Sequence, residues 1–440
     1  MVSRFRTRHF LATGASSVAR LVVSTALLLT TTLLVPSTPP ATAAFSGTAL
    51  WPQQAKLVPN DAGEDDNAGF AVALDGDTAV IGAPYHNNVG AVYVFVRNGT
   101  TWTQQAKLTA SDAASNDAFG IAVAISGDTV VVGATGDDDN GFSSGSAYVF
   151  VRSGTTWSQQ AKLTANDGAE SDYFGRAVAI DGDTILIGAT DDTHSSTSRA
   201  GSAYVFVRNG TAWSQQAKLT ASDAGAFDRF GYAVALDGDT ALVGAHQDND
   251  DGADSGSAYV FVRSGTTWSQ QAKLTASDAA MNDYFGHAVA LAGDTALIGA
   301  YRADNGGTDR GAAYVFVRNG TTWSEQAKLT PATAADDDQF GAAVALSGTT
   351  ALVGGNHPNG HGKVAVFTTD GAAWSETATL MPNDGASNDQ FGFATALSGD
   401  TALIGAYWHD ATSSDSGAAY IFQQGTQEPA FLTYLPLVMK

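Results

Sequence analysis

From Phe230 to Tyr284 the chain alternates four short apolar runs with clusters of turn residues. That pattern predicts strands and tight turns, not helices. Ala233 to Leu236 is the first run, and Asp237-Gly238-Asp239 turns the chain into the second, Thr240 to Ala245. An acidic loop from Gln247 to Gly256 leads to the third, Ala258 to Arg263, and Ser264-Gly265 leads to the fourth, Trp268 to Thr275. In the fourth run Trp268, Gln270, Ala272 and Leu274 alternate with Ser269, Gln271, Lys273 and Thr275, which predicts a half-exposed outer strand. The first two runs lack that alternation and predict strands buried on both faces, their small residues suiting a crowded centre.

This unit recurs along the chain. Phe-Gly stands at 119, 174, 230, 285, 340 and 391, with Ala68-Gly69 in register upstream, and tryptophan keeps the same beat at 51, 102, 157, 213, 268, 323 and 374. A spacing of 51 to 56 residues, sustained seven times, signals an array of supersecondary units. Four antiparallel strands per unit, set radially, predict an all-β fold, a seven-bladed β-propeller. An unpaired fourth strand, Trp51 to Leu57, opens the series, and a third strand, Ala418 to Phe422, ends it without a fourth. The N-terminal strand is therefore expected to complete the last blade, closing the ring and removing exposed strand edges.

Residues 47 to 425 resemble the FG-GAP repeat family, the repeats of the integrin α-subunit propeller and of many exported bacterial proteins. The resemblance rests on Phe-Gly at six of seven positions and on Gly-Ala closing the second run everywhere except Gly354-Gly355. The family's calcium sites, where present, are acidic DxDxDG-type loops between strands one and two. Here that connection is Ser/Asp/Ala-Gly-Asp-Thr in six blades and Ser-Gly-Thr-Thr in blade six. It is too short to wrap a cation that takes about six to eight oxygens, so calcium is not expected there.

Residues 1–43 predict a secretory signal peptide: Arg4, Arg6, Arg8 and Arg20 precede an apolar run from Leu21 to Val35, and Ala41-Thr42-Ala43 offers a small-residue cleavage site. Residues 44–60 would carry the closing strand, 61–425 the propeller, and 426–440 a C-terminal tail. The mature chain is expected to lack a membrane span and to be secreted, with cell-surface association as a variant of that reading. Loss of the four leader arginines leaves 18 of 22 basic residues against 44 acidic ones, which argues against nucleic acid as a partner. Cysteine is absent, so disulfides, thiolate metal sites and cysteine nucleophiles are excluded.

Repetition also sorts the candidate chemistry. An aspartate precedes the Phe-Gly position by two residues in every copy, at 66, 117, 172, 228, 283, 338 and 389. A catalytic group is needed once and a loop-capping hydrogen bond seven times, so these aspartates read as structural. Function is expected where copies differ, on the long loops between strands two and three. Two carboxylate clusters there are the candidate calcium ligands: Asp137, Asp138 and Asp139, and Asp248, Asp250, Asp251 and Asp254. No cofactor is required by the sequence. Tyr85, Tyr301, Arg302, Tyr407, Trp408 and His409 are the candidate ligand-binding residues, while the loop histidines as a set, at 86, 194, 246, 357, 361 and 409, read as polar surface and not as a transition-metal site. No nucleophile motif, phosphate loop or HExxH helix is present. The leading expectation is an exported, monomeric, non-enzymatic binding or adhesion module that shows an acidic, variable loop face to a protein or glycan. The alternative is an extracellular carboxylate-dependent hydrolase or lyase.

Overall fold

In a computed structural model, which describes residues 50–356 and 360–425, the apolar runs form seven four-stranded antiparallel sheets with the order expected for propeller blades. Blade four is typical, with strands Ala233–Asp237, Thr240–Ala245, Ser257–Ser264 and Thr267–Leu274 paired in sequence. Gln53–Leu57 pairs antiparallel with Ala418–Gln423 and completes blade seven. A parallel bridge between Ala68 and Gly417 adds a second contact across the same junction. The expected signal segment 1–43, residues 44–49 ahead of the closing strand, His357 and the expected tail 426–440 lie outside the described residues.

Three features depart from the expected strand pattern, each for a stated reason. The second strand is fully buried in all but one residue of one blade, but the first strand is only half-buried because one of its faces lines the central channel. In the fourth strand, Gln270 opposes Phe261 and Ala272 opposes Val260, so Gln271 is an extra residue in a bulge and the strict alternation stops there. The hairpin between strands three and four uses a two-residue loop, Gly265-Thr266 in blade four, with Gly265 at φ +63°. The preceding residue is therefore the last paired one, which explains why Asn and Ser exchange freely at that position.

The bulged glutamine and the recurring tryptophan stitch neighbouring blades together. Trp268 Nε1 donates to Gln216 of the previous blade at 3.0 Å, and Trp157, Trp213 and Trp323 repeat the contact at 2.9 Å. The guanidinium of Arg263 lies over Trp268 at 5.2 Å, donates to Asp239 of its own blade at 2.6 Å and to Thr184 of the previous blade at 3.1 Å. In blades one to five the aspartate after the glycine of the short strand-one-to-two turn, Asp77, Asp128, Asp183, Asp239 and Asp294, is thus committed to arginine. Between blades, Phe230 packs among Leu186 and Val205 of blade three and Val243, Tyr259 and Phe261 of blade four. All six phenylalanines of the Phe-Gly pairs are buried in this way.

Candidate ligand-binding face and channel mouth

The Phe-Gly pair is the centre of a tight turn, and that turn decides which side chains face the channel. In blade three Arg176 N–H donates to Tyr173 C=O at 3.2 Å across Phe174-Gly175, with Gly175 at φ +91°. A type II turn needs positive φ at its third residue, so glycine sits there. A Cβ on Gly175 would also collide with the carbonyl oxygen of Ser146. With phenylalanine driven between blades, the residue after glycine is left at the channel mouth. The aspartate two residues before phenylalanine caps the loop that leads into the turn, accepting from the backbone N–H three residues earlier at 2.5–2.9 Å.

Body positions repeat from copy to copy, whereas the mouth positions do not. The residues after Phe-Gly are Phe70, Ile121, Arg176, Tyr232, His287, Ala342 and Phe393, and all line a cavity of about 300 Å³ at the channel mouth. Among the described residues no carboxylate lines it. A second ring follows the Gly-Ala of strand two and includes His246, Tyr301 and Tyr407. One side of the mouth is apolar and aromatic: Phe70 lies 5.0 Å from Phe393 and 5.3 Å from Tyr407, and Tyr407 lies 5.1 Å from Trp408. The other side is cationic and aromatic: Arg176 sits over Tyr232 at 4.3 Å, Tyr232 is 4.0 Å from His246 and 5.0 Å from His287, and His287 is 4.4 Å from Tyr301. Burial, with Arg176 adding to it, pushes the His287 imidazole down to about 3. Burial, His287, Arg229 and Arg176 hold His246 well below its ordinary value.

The sequence candidates divide between this mouth and the outer wall. Tyr407 and Tyr301 belong to the two sides of the mouth, and Arg302 lies over Tyr301 at 5.4 Å and over Tyr284 at 5.2 Å. Tyr85 and Trp408 are exposed and flank a separate acidic depression of about 620 Å³ that includes Asp61, Glu64, Asp65 and Asp415. His409 does not join them. It is buried, its Nδ1 2.8 Å from Asp389 and its Nε2 2.5 Å from Lys56. His86 repeats that arrangement with Asp66 and Lys107. The reading of the loop histidines as polar surface is therefore corrected for His86, His246 and His409, which are buried.

The acidic candidates form an ionic lock around the lysine of strand four. Lys162 Nζ lies 2.7 Å from Asp137, 2.5 Å from Asp139 and 2.8 Å from Asp112, while the buried Asp137 also accepts from Tyr148 Oη at 2.8 Å and Ser146 Oγ at 2.9 Å. Lys273 holds Asp248, Asp250 and Asp223 at 3.0, 2.5 and 2.8 Å, and Tyr259 Oη donates to Asp248 at 2.7 Å. Asp138 instead accepts from Ser143 N–H at 2.7 Å, Asp254 has its N–H on Asn249, and Asp251 is exposed. Burial alone would raise Asp137, but hydrogen bonds from Lys162, Tyr148 and Ser146 outweigh it and hold the carboxyl below its usual range. Each trio comes within 4.8 Å and could in principle ligate a cation. The donor set is nevertheless spent on an ammonium, and the residues present do not fit calcium as well.

Sequence reasoning missed Asp112, Asp223 and the lysines because about 23 to 50 residues separate the partners. It also missed Arg176, Tyr232 and His287. Their signal was available: aligning the copies on Phe-Gly isolates one offset at which Arg, Tyr, His, Ile, Ala and Phe replace one another.

A closed ring of four-stranded blades with constant walls and a varied mouth defines a propeller built to present different side chains on one scaffold. A family model described as FG-GAP repeat matches residues 51–95, 102–150, 157–206, 213–261, 268–316, 323–367 and 374–422. The chain belongs to the FG-GAP repeat family. Each match runs from the outer strand of one blade to the third strand of the next, the same offset that lets Gln53–Leu57 close the ring. Comparison with curated proteins returns no match.

Proposed function

We propose that this chain is an exported, non-enzymatic binding module that recognises a protein or glycan with its long-loop face, centred on the channel mouth. One observation carries the reading. Seven copies keep the same four-stranded blade and the same tight turn, yet the positions after that turn hold six residue types that converge on one cavity. Rigid scaffolds with variable loops are a common way to build a recognition surface, because little ordering entropy is lost on binding. The carboxylates favour this reading over hydrolysis. Asp172 and Asp228 are raised to about 6 by burial, yet both are buried caps engaged by backbone N–H groups. The lock carboxylates are bound to lysine, and Asp112, Asp137 and Asp223 are held low by it, which suits neither a general acid nor a free nucleophile. Among the described residues no helix is long and apolar enough to cross a membrane.

The test is a screen of the purified protein against arrays of glycans and surface proteins, followed by the Ala342→Trp variant. Ala342 is a small residue on the mouth, so a tryptophan there fills the cavity without removing an existing interaction. Saturable binding that the plug abolishes supports the reading. Turnover of a glycan with time, or binding indifferent to both plug and loop substitutions, overturns it.

A further inference from the structure

We propose that the channel mouth seats a carboxylate carried on a planar or apolar group, anchored by Arg176; this rests on the binding-module reading above. Arg176 differs from the arginines of the blade walls. Arg97, Arg152, Arg208, Arg263 and Arg318 each pair with an aspartate at 2.5–2.7 Å. Among the described residues, Arg176 has no carboxylate within ion-pair distance and no side-chain hydrogen bond, although its chain carries 44 acidic residues. Its guanidinium is held over the face of Tyr232 instead. Stacking occupies the face of the guanidinium and leaves its N–H edge to donate, the edge that matches a carboxylate with two parallel bonds.

Further observations point to the same corner. His287 Nδ1 and His246 Nδ1 are buried nitrogens without a hydrogen-bond partner, as is Arg302 Nε. A buried polar atom left unpaired costs free energy; His287 lines the cavity and His246 packs on Tyr232 beside it, so these two nitrogens mark groups there that await a partner. Burial is the main cause of both depressed imidazoles, and the arginines beside them add to it; an arriving anion would offset that added positive charge. Facing this corner, Phe70 and Phe393 offer ring surface and no charge. A ligand satisfying both sides therefore joins an anionic end to an apolar or planar body. The cavity of about 300 Å³ admits one ring-sized group, so the ligand is a small acid or the carboxylate end of a longer chain. The rim carboxylates do not oppose this strongly, because each lock lysine offsets part of their charge and exposed charges are screened beyond roughly 8 Å at physiological ionic strength.

Calorimetry with the purified protein tests the proposal using 3-phenylpropionate, its neutral amide 3-phenylpropionamide, and a short peptide ending in phenylalanine with a free or amidated terminus. Saturable binding of the acid, at least about tenfold tighter than the amide and weakened at least about tenfold in Arg176→Gln, is expected from one charge-assisted contact. Tighter binding of the free-ended peptide than of phenylpropionate would assign the carboxylate to a chain end, and the reverse order to a free acid. Ala342→Trp, which leaves Arg176 in place, should abolish binding of either probe while the protein still melts cooperatively. Equal binding of acid and amide, no binding of any probe, or an unchanged affinity in Arg176→Gln would overturn the assignment. If it falls while the plug still removes an array ligand, the carboxylate chemistry is wrong and the binding module stands; if the plug removes nothing, both fall.

Discussion

The outer wall and the channel mouth are built from the same repeat and obey opposite rules. At the wall, Lys162 of blade two and Lys273 of blade four each hold three aspartates in matching geometry. At the mouth, Arg176 of blade three and Tyr232 of blade four share a backbone turn and nothing in chemistry. Sameness marks what each blade needs to stand. Difference at a fixed backbone position marks what the assembled ring presents. Blade six sharpens the contrast, because it loses its lock as a unit: Thr333, Ala365 and Thr379 replace the loop aspartate, the tyrosine and the lysine together. In that blade Lys363 reaches the capping Asp338 at 2.9 Å from another strand.

Breaking the wall should cost most. Phe230→Ala, which empties the contact between blades three and four, is expected to lower unfolding free energy by about 3–5 kcal/mol. Denaturant titration checks this, and a loss under about 1 kcal/mol would mean that the phenylalanine is peripheral. Lys273→Met should cost about 2–3 kcal/mol, since it leaves the buried Asp248 facing Asp250 and Asp223 without a cation, with some relief from solvent at the rim. The equivalent Thr379→Met in blade six, where no lock exists, should cost less than about 0.5 kcal/mol, and equal losses in the two variants would undo the comparison.

The mouth should show itself in pH rather than in contacts. His246 and His287 are depressed in the folded chain, so below the ordinary imidazole value near 6.5 the unfolded chain binds protons that the folded chain refuses. Their contribution is present above that value and is lost as pH falls toward the folded values. Asp172 and Asp228, raised to about 6, act in the other direction: the folded chain binds protons first, and stability is gained as pH falls from about 6 toward 4. Replacing His287 with phenylalanine should remove about 1–2 kcal/mol of the acid-side loss between pH 7 and 5, read from thermal melts. An unchanged pH profile would show that the imidazole titrates normally. The smallest effect concerns cations. Because lysines occupy the carboxylate trios, EDTA should shift the melting temperature by less than about 1 °C, since only an ion that binds the native state tightly stabilises it. A large drop restored by calcium and not by magnesium, and absent in a variant with Asp248, Asp250 and Asp251 changed to asparagine, would place a structural ion in blade four.

The fold was legible because its determinants are local and repeated. Phe-Gly, the short Gly-Asp-Thr turn and the alternating tryptophan strand each act within a few residues, and seven copies average out the noise. Closure by Trp51 to Leu57 followed from counting strands. The site was legible only in outline. Tyr301, Arg302 and Tyr407 were singled out because aromatic and cationic residues stand out on a loop, and the structure packs Tyr407 against Phe70 and Tyr301 against His287; His409 was singled out for the same reason and is buried instead. Its offset after Gly-Ala is that of Asp137 and Asp248, and that offset points into the lock. Asp112 and Lys162 could not be paired by local reasoning, since only the strand order of blade two brings them together across 50 residues.

The central claim is that recognition sits at the mouth and not on the acidic loops. It is tested most directly by measuring one array-selected ligand against two variants, Ala342→Trp at the mouth and Asp251→Lys on the exposed loop of blade four. The account predicts that the plug abolishes binding while the protein keeps a cooperative melt, and that the loop variant binds within about threefold of the parent. Binding that survives the plug and disappears with Asp251→Lys would contradict it.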